Sequence, residues 1–191
     1  MLEIGPVRVR VQSCIPSVVE GIQFFYDEYP QPAPTVFSDF FVRLNESGGI
    51  HRFLRRQVNF YSDQLAPFKP LPLGQAFPFF EWGLNWCIAQ NCHQYLIIHA
   101  GVLEKNGAAI VMPGFPGAGK STLTAALMRR GWRLLSDELT LYDWKNNSLV
   151  ALPRPVSLKN ESIGIIRRFD AQAQIGEVVN DTQKGTVAHL K

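Results

Sequence analysis

One glycine-rich stretch, PGFPGAGKST at positions 113–122, constrains this 191-residue chain more than any other part of it. It follows an apolar run at 108–112 and precedes a segment, 120–130, whose apolar residues recur at helical spacing. Glycines tolerate positive φ and let backbone N–H groups turn towards one point, and a following helix adds its positive end there. The sequence therefore predicts a strand, a tight loop and a helix in direct succession.

The same stretch fits the pattern G-x-x-x-x-G-K-[ST] without a gap, which predicts a loop that binds nucleotide phosphates. We expect Lys120 to reach the β- and γ-phosphates and the Ser121 hydroxyl to ligate Mg²⁺. No N-K-x-D element of the kind that holds guanine is present, so ATP is the expected nucleotide. The alternative interpretation is a glycine-rich turn without a ligand. The predicted nucleotide-binding residues are Gly114, Phe115, Pro116, Gly117, Ala118, Gly119, Lys120, Ser121 and Thr122.

Two adjacent acids, Asp137 and Glu138, follow the next predicted strand. A carboxylate at a strand end beside the loop can reach a bound metal, and a second one can accept the proton of an attacking hydroxyl. Ser121 and Asp137 are therefore the predicted metal ligands, and Glu138 or Asp137 is the predicted base. Successive strand side chains point to opposite faces, so both acids serve one site only if the strand ends or bulges there. A single structural or solvated acid is the alternative.

His99 is the remaining candidate, in an apolar run at 95–99 that begins a predicted hairpin. Two apolar runs are joined by Lys105-Asn106-Gly107, and Asn-Gly between such runs is a strong hairpin signal. The second strand of this hairpin leads directly into the glycine loop. The strand pattern alone favours a buried structural histidine at position 99.

The spacing of three separated elements resembles the catalytic domain of HPr kinase/phosphorylase. These elements are H-A-G-V-L at 99–103, the glycine loop, and R-G-W-R-L-L-S-D-E at 130–138. The stretches R-P-V-S-L-K-N-E-S-I and K-G-T-V-A-H-L look closer still to the subgroup called HPr-kinase-related kinase A. The resemblance covers roughly residues 95–170. It implies that His99 and Lys120 are catalytic and that Glu138 stands at the family's base position.

The chain departs from that family at positions that bear on the site. Glu138 stands where the family has Asp, and the additional methylene moves the carboxylate by about 1.5 Å. The offset of the family's second metal-side glutamate holds Lys159, with Glu161 displaced by two residues, so Glu161 is only a weak candidate ligand. The resemblance also predicts further strands beyond Lys191.

The predicted elements describe an α/β chain of two units. Residues 1–94 are expected to form a small α+β unit that could dock a partner, with an aromatic-rich helix at 76–90 in its core. Residues 95–191 are expected to form a P-loop nucleotide-binding domain of HPr-kinase type, with a mixed sheet and a hairpin that leads into the loop. A helix is expected at 17–29 in the first unit and another at 161–169 in the second.

Composition and charge argue against several classes of function. The formal net charge is only +3, and arginines occur in pairs instead of one basic stripe, so no nucleic-acid surface is predicted. No apolar run approaches the roughly 18 residues of a membrane span, and the N-terminus lacks the features of a secretory signal. Cys14, Cys87 and Cys92 are predicted to be reduced, buried thiols of a cytoplasmic protein.

The sequence thus predicts an ATP- and Mg²⁺-dependent kinase that transfers the γ-phosphate to a hydroxyl. A serine of a protein or peptide is the expected acceptor. Two alternatives stay open: a P-loop ATPase with water as acceptor and Asp137-Glu138 as a short Walker-B-like pair, and a nucleotide-sensing module without catalysis. The oligomeric state is open as well, including a homo-oligomer.

Overall fold

The computed structural model describes residues 1–48 and 55–191. It shows a mixed α/β protein whose chain divides into two compact units, Met1–Asn91 and Cys92–Lys191. This division lies three residues before the boundary that the sequence predicts after residue 94. Within the described residues, no helix has the length and apolar character needed to cross a membrane.

The described part of the first unit forms a five-stranded sheet and two helices. The parallel pairing of β2 with β3 is the exception in this sheet, because the other pairs are antiparallel. The predicted helix at 17–29 begins one residue earlier and ends at Phe25. In sheet order the strands are β1 (Leu2–Ile4), β2 (Val7–Ser13), β3 (Phe40–Glu46), β4 (Gln57–Ser62) and β5 (Leu71–Pro72), and the helices are α1 (Pro16–Phe25) and α2 (Ala76–Asn91).

Aromatic side chains fill the core of the first unit, as the sequence predicted for its second helix. Phe77 and Phe80 of α2 are buried, and the Phe77 ring stacks on Phe25 of α1 with 5.1 Å between centroids. Glu81 is also buried in α2, where its carboxylate accepts a hydrogen bond of 2.7 Å from the Tyr26 hydroxyl. Because a buried carboxylate is costly without such a partner, this bond helps to fix α1 against α2.

The three cysteines are all free thiols, but their burial differs from the prediction. Cys87 and Cys92 are buried, and burial raises the pKa of Cys87. Cys14 is exposed, which corrects the expectation that all three are buried. It lies in the short connection between the end of β2 and the start of α1, where the side chain faces solvent.

The second unit contains two sheets and two helices. Both helices begin where the sequence predicted, and the first ends at Met128, two residues before the predicted end. The larger sheet consists of β6 (Leu96–Lys105), β7 (Ala108–Pro113), β8 (Arg133–Ser136), β9 (Leu139–Asp143) and β10 (Ser148–Val150), the smaller one of β11 (Val156–Lys159), β12 (Val179–Thr182) and β13 (Gly185–Leu190), and the helices are α3 (Lys120–Met128) and α4 (Glu161–Phe169).

The larger sheet is organised around β6, and all its strand pairs are antiparallel. The predicted hairpin joins β6 to β7 through Asn106 at φ 56° and Gly107 at φ 82°. On its other edge β6 pairs with β9 over its first residues and with β8 over its later ones. The expected mixed sheet is therefore wrong for this unit. Strands β7 and β8 run in the same direction, but β6 lies between them and pairs with both.

Helix α3 approaches β6 closely at Gly101. A Cβ atom on Gly101 would overlap Oγ1 of Thr124, so a larger residue can occupy this position only if the Thr124 side chain or the helix shifts. Thr124 is fully buried, and among the described residues its hydroxyl has no hydrogen-bond partner. Ala125 of α3 belongs to the apolar core of the unit, together with Val156, Leu158, Ile163, Ile166, Ala188 and Leu190.

A double-mutant cycle tests the close contact between Gly101 and Thr124. Gly101→Ala should lower the free energy of unfolding by roughly 1–3 kcal/mol, because the new methyl group overlaps the Thr124 hydroxyl. Thr124→Ala removes the hydroxyl, which has no partner, together with a buried methyl group, so by itself it should cost about 1 kcal/mol, and it should recover part of the Gly101→Ala loss in the double variant. Urea denaturation measures all three changes. Strictly additive losses would contradict the contact.

Candidate functional site

The glycine loop connects β7 directly to α3, in the strand–loop–helix context that the sequence predicted. Gly117 and Gly119 have φ of 84° and 87°, a region that favours glycine. The Lys120 side chain folds back over the loop, and its ammonium group donates hydrogen bonds to the carbonyls of Gly114 at 2.7 Å and Phe115 at 3.2 Å. The loop therefore carries the positive charge of Lys120, and an acceptor stronger than a carbonyl oxygen could replace the two carbonyls as the hydrogen-bond partner of its ammonium group.

Asp137 and Glu138 occupy a bend between β8, which ends at Ser136, and β9, which begins at Leu139. The pairing of β8 with β6 also shifts register near this point. The strand is thus interrupted at the acidic pair, and the alternation of side chains does not apply across it. This interruption meets the condition under which both acids can face one site.

A cavity of about 800 Å³ connects the loop to the acidic pair. The predicted residues that line it are His99, Pro116, Gly117, Gly119, Lys120, Ser121, Thr122, Asp137 and Glu138. The other predicted loop residues, Gly114, Phe115 and Ala118, do not line it, and the Phe115 side chain is 86% exposed. Glu161, the first residue of α4, lies on the wall of the same cavity.

His99 is exposed at this cavity, which contradicts its interpretation as a buried structural histidine. It lies in the part of β6 that pairs with β9, where it is opposite Leu139, the residue after Glu138. Its charge is one of those that lower the pKa of Glu138. The structure therefore places His99 and the acidic pair at one site.

Asp137 is the more buried of the two acids, with only 6% of its surface exposed. Its Oδ2 accepts a hydrogen bond of 3.1 Å from the Ser157 N–H, whereas its buried Oδ1 has no hydrogen-bond partner in the described part of the chain. Burial, followed by the charge of Glu138, raises the pKa of Asp137 to about 7. The Ser157 N–H, the nearby Ser121 hydroxyl and Lys159 oppose this rise without cancelling it.

A carboxylate oxygen without a partner beside a serine hydroxyl is a donor set that suits Mg²⁺. Asp137 Oδ1 and Ser121 Oγ are the atoms that could hold the ion. Among the described residues, no group of three or more His, Cys, Asp and Glu side chains could hold a metal. A magnesium ion at this site would therefore take its other ligands from phosphate oxygens and water, as Mg²⁺ commonly does.

Glu138 has the opposite electrostatic environment. Burial alone would raise the pKa of its carboxyl group, but the positive charges of Lys159, Lys184, Arg154 and His99 lower it overall. Lys159 lies beside the carboxyl group, with 3.5 Å between its Nζ and Glu138 Oε1. Glu138 is therefore ionised at neutral pH, which is the form of a carboxyl group that accepts a proton.

Sequence reasoning missed three residues that interact electrostatically with Glu138: Arg154, which precedes β11, Lys184 in the turn before β13, and His189 in β13. The pairing of β11 with β13 places His189 opposite Ser157, whose N–H contacts Asp137. His189 is buried, and burial lowers its pKa to about 3, so it is neutral at ordinary pH. The sequence offered one signal, the polar stretch that ends in Lys184-Gly185, since Asn, Asp, Thr and Gly in close succession indicate a turn.

Comparisons of the chain with protein-family models, with curated proteins and with solved structures found no match. The case for a function therefore depends on the residues and geometry of this cavity.

The raised pKa of Asp137 predicts a pH-dependent effect of Asp137→Asn on stability. A carboxyl group whose pKa rises on folding, here from 3.8 to about 7, contributes stability while protonated, and this is lost as pH rises through that range. The free energy of unfolding of Asp137→Asn relative to wild type should therefore increase between these pH values, by about 1.4 kcal/mol per unit of pKa shift, and level off at higher pH.

Urea denaturation at a series of pH values measures this effect. Asp143→Asn is the matched control, because hydrogen bonds from Asn146 and Lys145 lower the pKa of Asp143 and reverse the expected sign. If the free energies of unfolding of Asp137→Asn and wild type differed by the same amount at all pH values, this result would contradict the raised pKa of Asp137.

Proposed function

We propose that the chain is an ATP- and Mg²⁺-dependent kinase of the HPr-kinase type, with a serine of a protein or peptide as acceptor. The observation that carries the proposal is the cavity shared by the glycine loop and the acidic pair. The cavity brings Lys120 and Ser121, at the start of α3, together with two carboxylates. Asp137 is suited to binding a metal ion, and Glu138 is suited to accepting a proton. This combination supports phosphoryl transfer more than nucleotide binding alone.

Lys120 and the N–H groups of the loop hold the nucleotide phosphates. The carbonyl contacts of Lys120 exchange for phosphate oxygens, which form stronger, charge-assisted hydrogen bonds. Ser121 and Asp137 would hold Mg²⁺, which supplies positive charge to the phosphate oxygens when bound. A cation beside Asp137 favours its ionised form, so metal binding offsets the cost of a buried carboxylate.

Glu138 accepts the proton of the acceptor hydroxyl as the hydroxyl oxygen bonds to the γ-phosphorus. The bond between the γ-phosphorus and the oxygen that bridges it to the β-phosphate breaks, and ADP leaves. The transition state of such transfers is loose, so positioning matters more than the strength of the base. A carboxylate with a lowered pKa is therefore sufficient. His99, exposed at the same cavity, orients the acceptor or stabilises it electrostatically.

The first test of this proposal is nucleotide binding by Lys120→Ala. The variant should lose at least ~2 kcal/mol of binding free energy for ATP, because a charge-assisted contact to phosphate disappears. Calorimetry with wild type and variant measures the loss. Lys145→Ala, which removes an exposed lysine outside the cavity, serves as the control. Equal affinities of wild type and Lys120→Ala would contradict the proposed phosphate site.

The second test separates the roles of the two acids, using labelled ATP and serine peptides. Glu138→Gln should bind nucleotide normally but transfer phosphate about 10²-fold more slowly or worse, because it removes the proton acceptor. Asp137→Asn should instead raise the Mg²⁺ concentration needed for half-maximal rate. Glu138→Asp should retain activity if the site has the geometry of the family that it resembles.

Glu104→Gln is the control for this series, because Glu104 lies on β6 outside the cavity and pairs with Arg133. Normal transfer by Glu138→Gln with loss in Asp137→Asn would reverse the two roles. Label released as free phosphate would favour the ATPase alternative. Nucleotide binding without transfer or release would favour the sensing module.

A further inference from the structure

Two lysines of the cavity, Lys159 and Lys184, have no role in the phosphate chemistry described above. Lys159 is the last residue of β11, and Lys184 lies in the turn between β12 and β13. Both line the cavity together with Glu138, and both act on the pKa of Glu138. They therefore border the position at which an acceptor hydroxyl must bind if Glu138 is the base.

Several positive side chains act on the carboxylate of Glu138. Lys159 Nζ lies 3.5 Å from Glu138 Oε1, and the charge of Glu138 also raises the pKa of Lys184. Burial and the neighbouring charge of Lys159 lower the pKa of Lys184 by more than this. The charges of Lys159 and Lys184 therefore repel each other, and a negative group bound beside them would reduce this repulsion.

Hydrogen bonds hold the backbone of both lysines in place. In the turn, Thr182 Oγ1 accepts a hydrogen bond of 3.0 Å from the Lys184 N–H and donates one of 2.6 Å to the Gly185 carbonyl. Asn160, next to Lys159, bonds to Thr186 through its N–H at 2.8 Å and its Oδ1 at 3.0 Å. The backbone segments that carry the two lysines are therefore fixed before any ligand arrives, which lowers the entropy lost on binding.

Gly185 makes this arrangement possible. It has φ of 81°, and a Cβ atom at this position would lie 2.3 Å from Asn160 Oδ1. A larger residue would therefore strain the turn and displace Asn160, the residue that connects the two lysine-bearing segments.

The position of the base restricts what the acceptor can be. A hydroxyl that gives its proton to Glu138 must lie within hydrogen-bond distance of that carboxylate, about 2.6–3.2 Å. Groups attached close to this hydroxyl then come within reach of Lys159. His99, Asn160 and Glu161 are exposed around the cavity, so the rest of a long acceptor can extend into solvent.

We propose that Lys159 and Lys184 form a subsite for a carboxylate beside the acceptor hydroxyl, and that the acceptor is an acidic peptide segment in which Asp or Glu neighbours the serine. This inference rests on the proposed kinase function for the identity of the reacting group. The carboxylate itself takes no part in the transfer. It positions the serine and excludes acceptors with basic neighbours.

Peptide binding tests this subsite separately from phosphate binding. The protein is saturated with Mg²⁺ and the non-hydrolysable analogue AMP-PNP, and fluorescence anisotropy follows labelled peptides whose single serine is flanked by Asp and Glu, by Asn and Gln, or by Lys. At low salt the acidic peptide should bind at least ~10-fold more tightly than the neutral one. Lys159→Gln and Lys184→Gln should each remove most of this preference, whereas Lys184→Arg, which keeps the charge, should retain it.

Lys145→Gln is the matched control, since it removes one positive charge of the same unit outside the cavity. Equal binding of acidic and neutral peptides, or an equal loss in Lys145→Gln, would overturn the subsite. Preferential binding of L-serine or glycerate over every peptide would overturn the peptide assignment. The titrations are repeated without AMP-PNP. A lysine-dependent preference for acidic peptide together with no binding of AMP-PNP would support the subsite and contradict the kinase proposal.

Discussion

The pairing of β6 with two successive strands on one edge is the constraint on which the candidate site depends. Strands β8 and β9 cover different parts of β6, and Asp137 and Glu138 lie in the bend that separates them. The opposite edge of β6 pairs with β7, which leads into the glycine loop. One strand therefore sets the positions of the loop and the acidic pair, and it carries His99 as well.

Adjacent carboxylates at this bend have opposite electrostatic environments. Asp137 is buried with one oxygen lacking a partner, and its pKa rises to about 7. Glu138 faces four positive side chains, and its pKa falls. Neighbouring acids whose pKa values are separated in this way commonly have different roles in catalysis. The proposed division between a metal ligand and a base follows from this difference, which the order of the two residues in the sequence does not determine.

The smaller sheet and the turn before β13 supply two positive charges to the cavity in addition to that of Lys120. Lys159 comes from β11 and Lys184 from the turn before β13, and Asn160 connects the two segments. Gly101 of β6 lets α3 pack closely against the larger sheet, while Ala125 on the same helix packs into the apolar core that includes β11 and β13. Helix α3 is therefore the element through which both sheets are arranged around the cavity.

The sequence by itself determined the local elements and the loop. The run Gly114 to Ser121, the Asn106-Gly107 turn and the apolar spacing of α3 are local patterns, since φ preferences and helical periodicity act over a few residues. Only the tertiary structure decided that β6 pairs antiparallel on both edges, that His99 is exposed, and that Lys184 meets Glu138. These outcomes depend on contacts between residues far apart in the chain, and strand order and charge proximity leave no periodic trace in a single sequence.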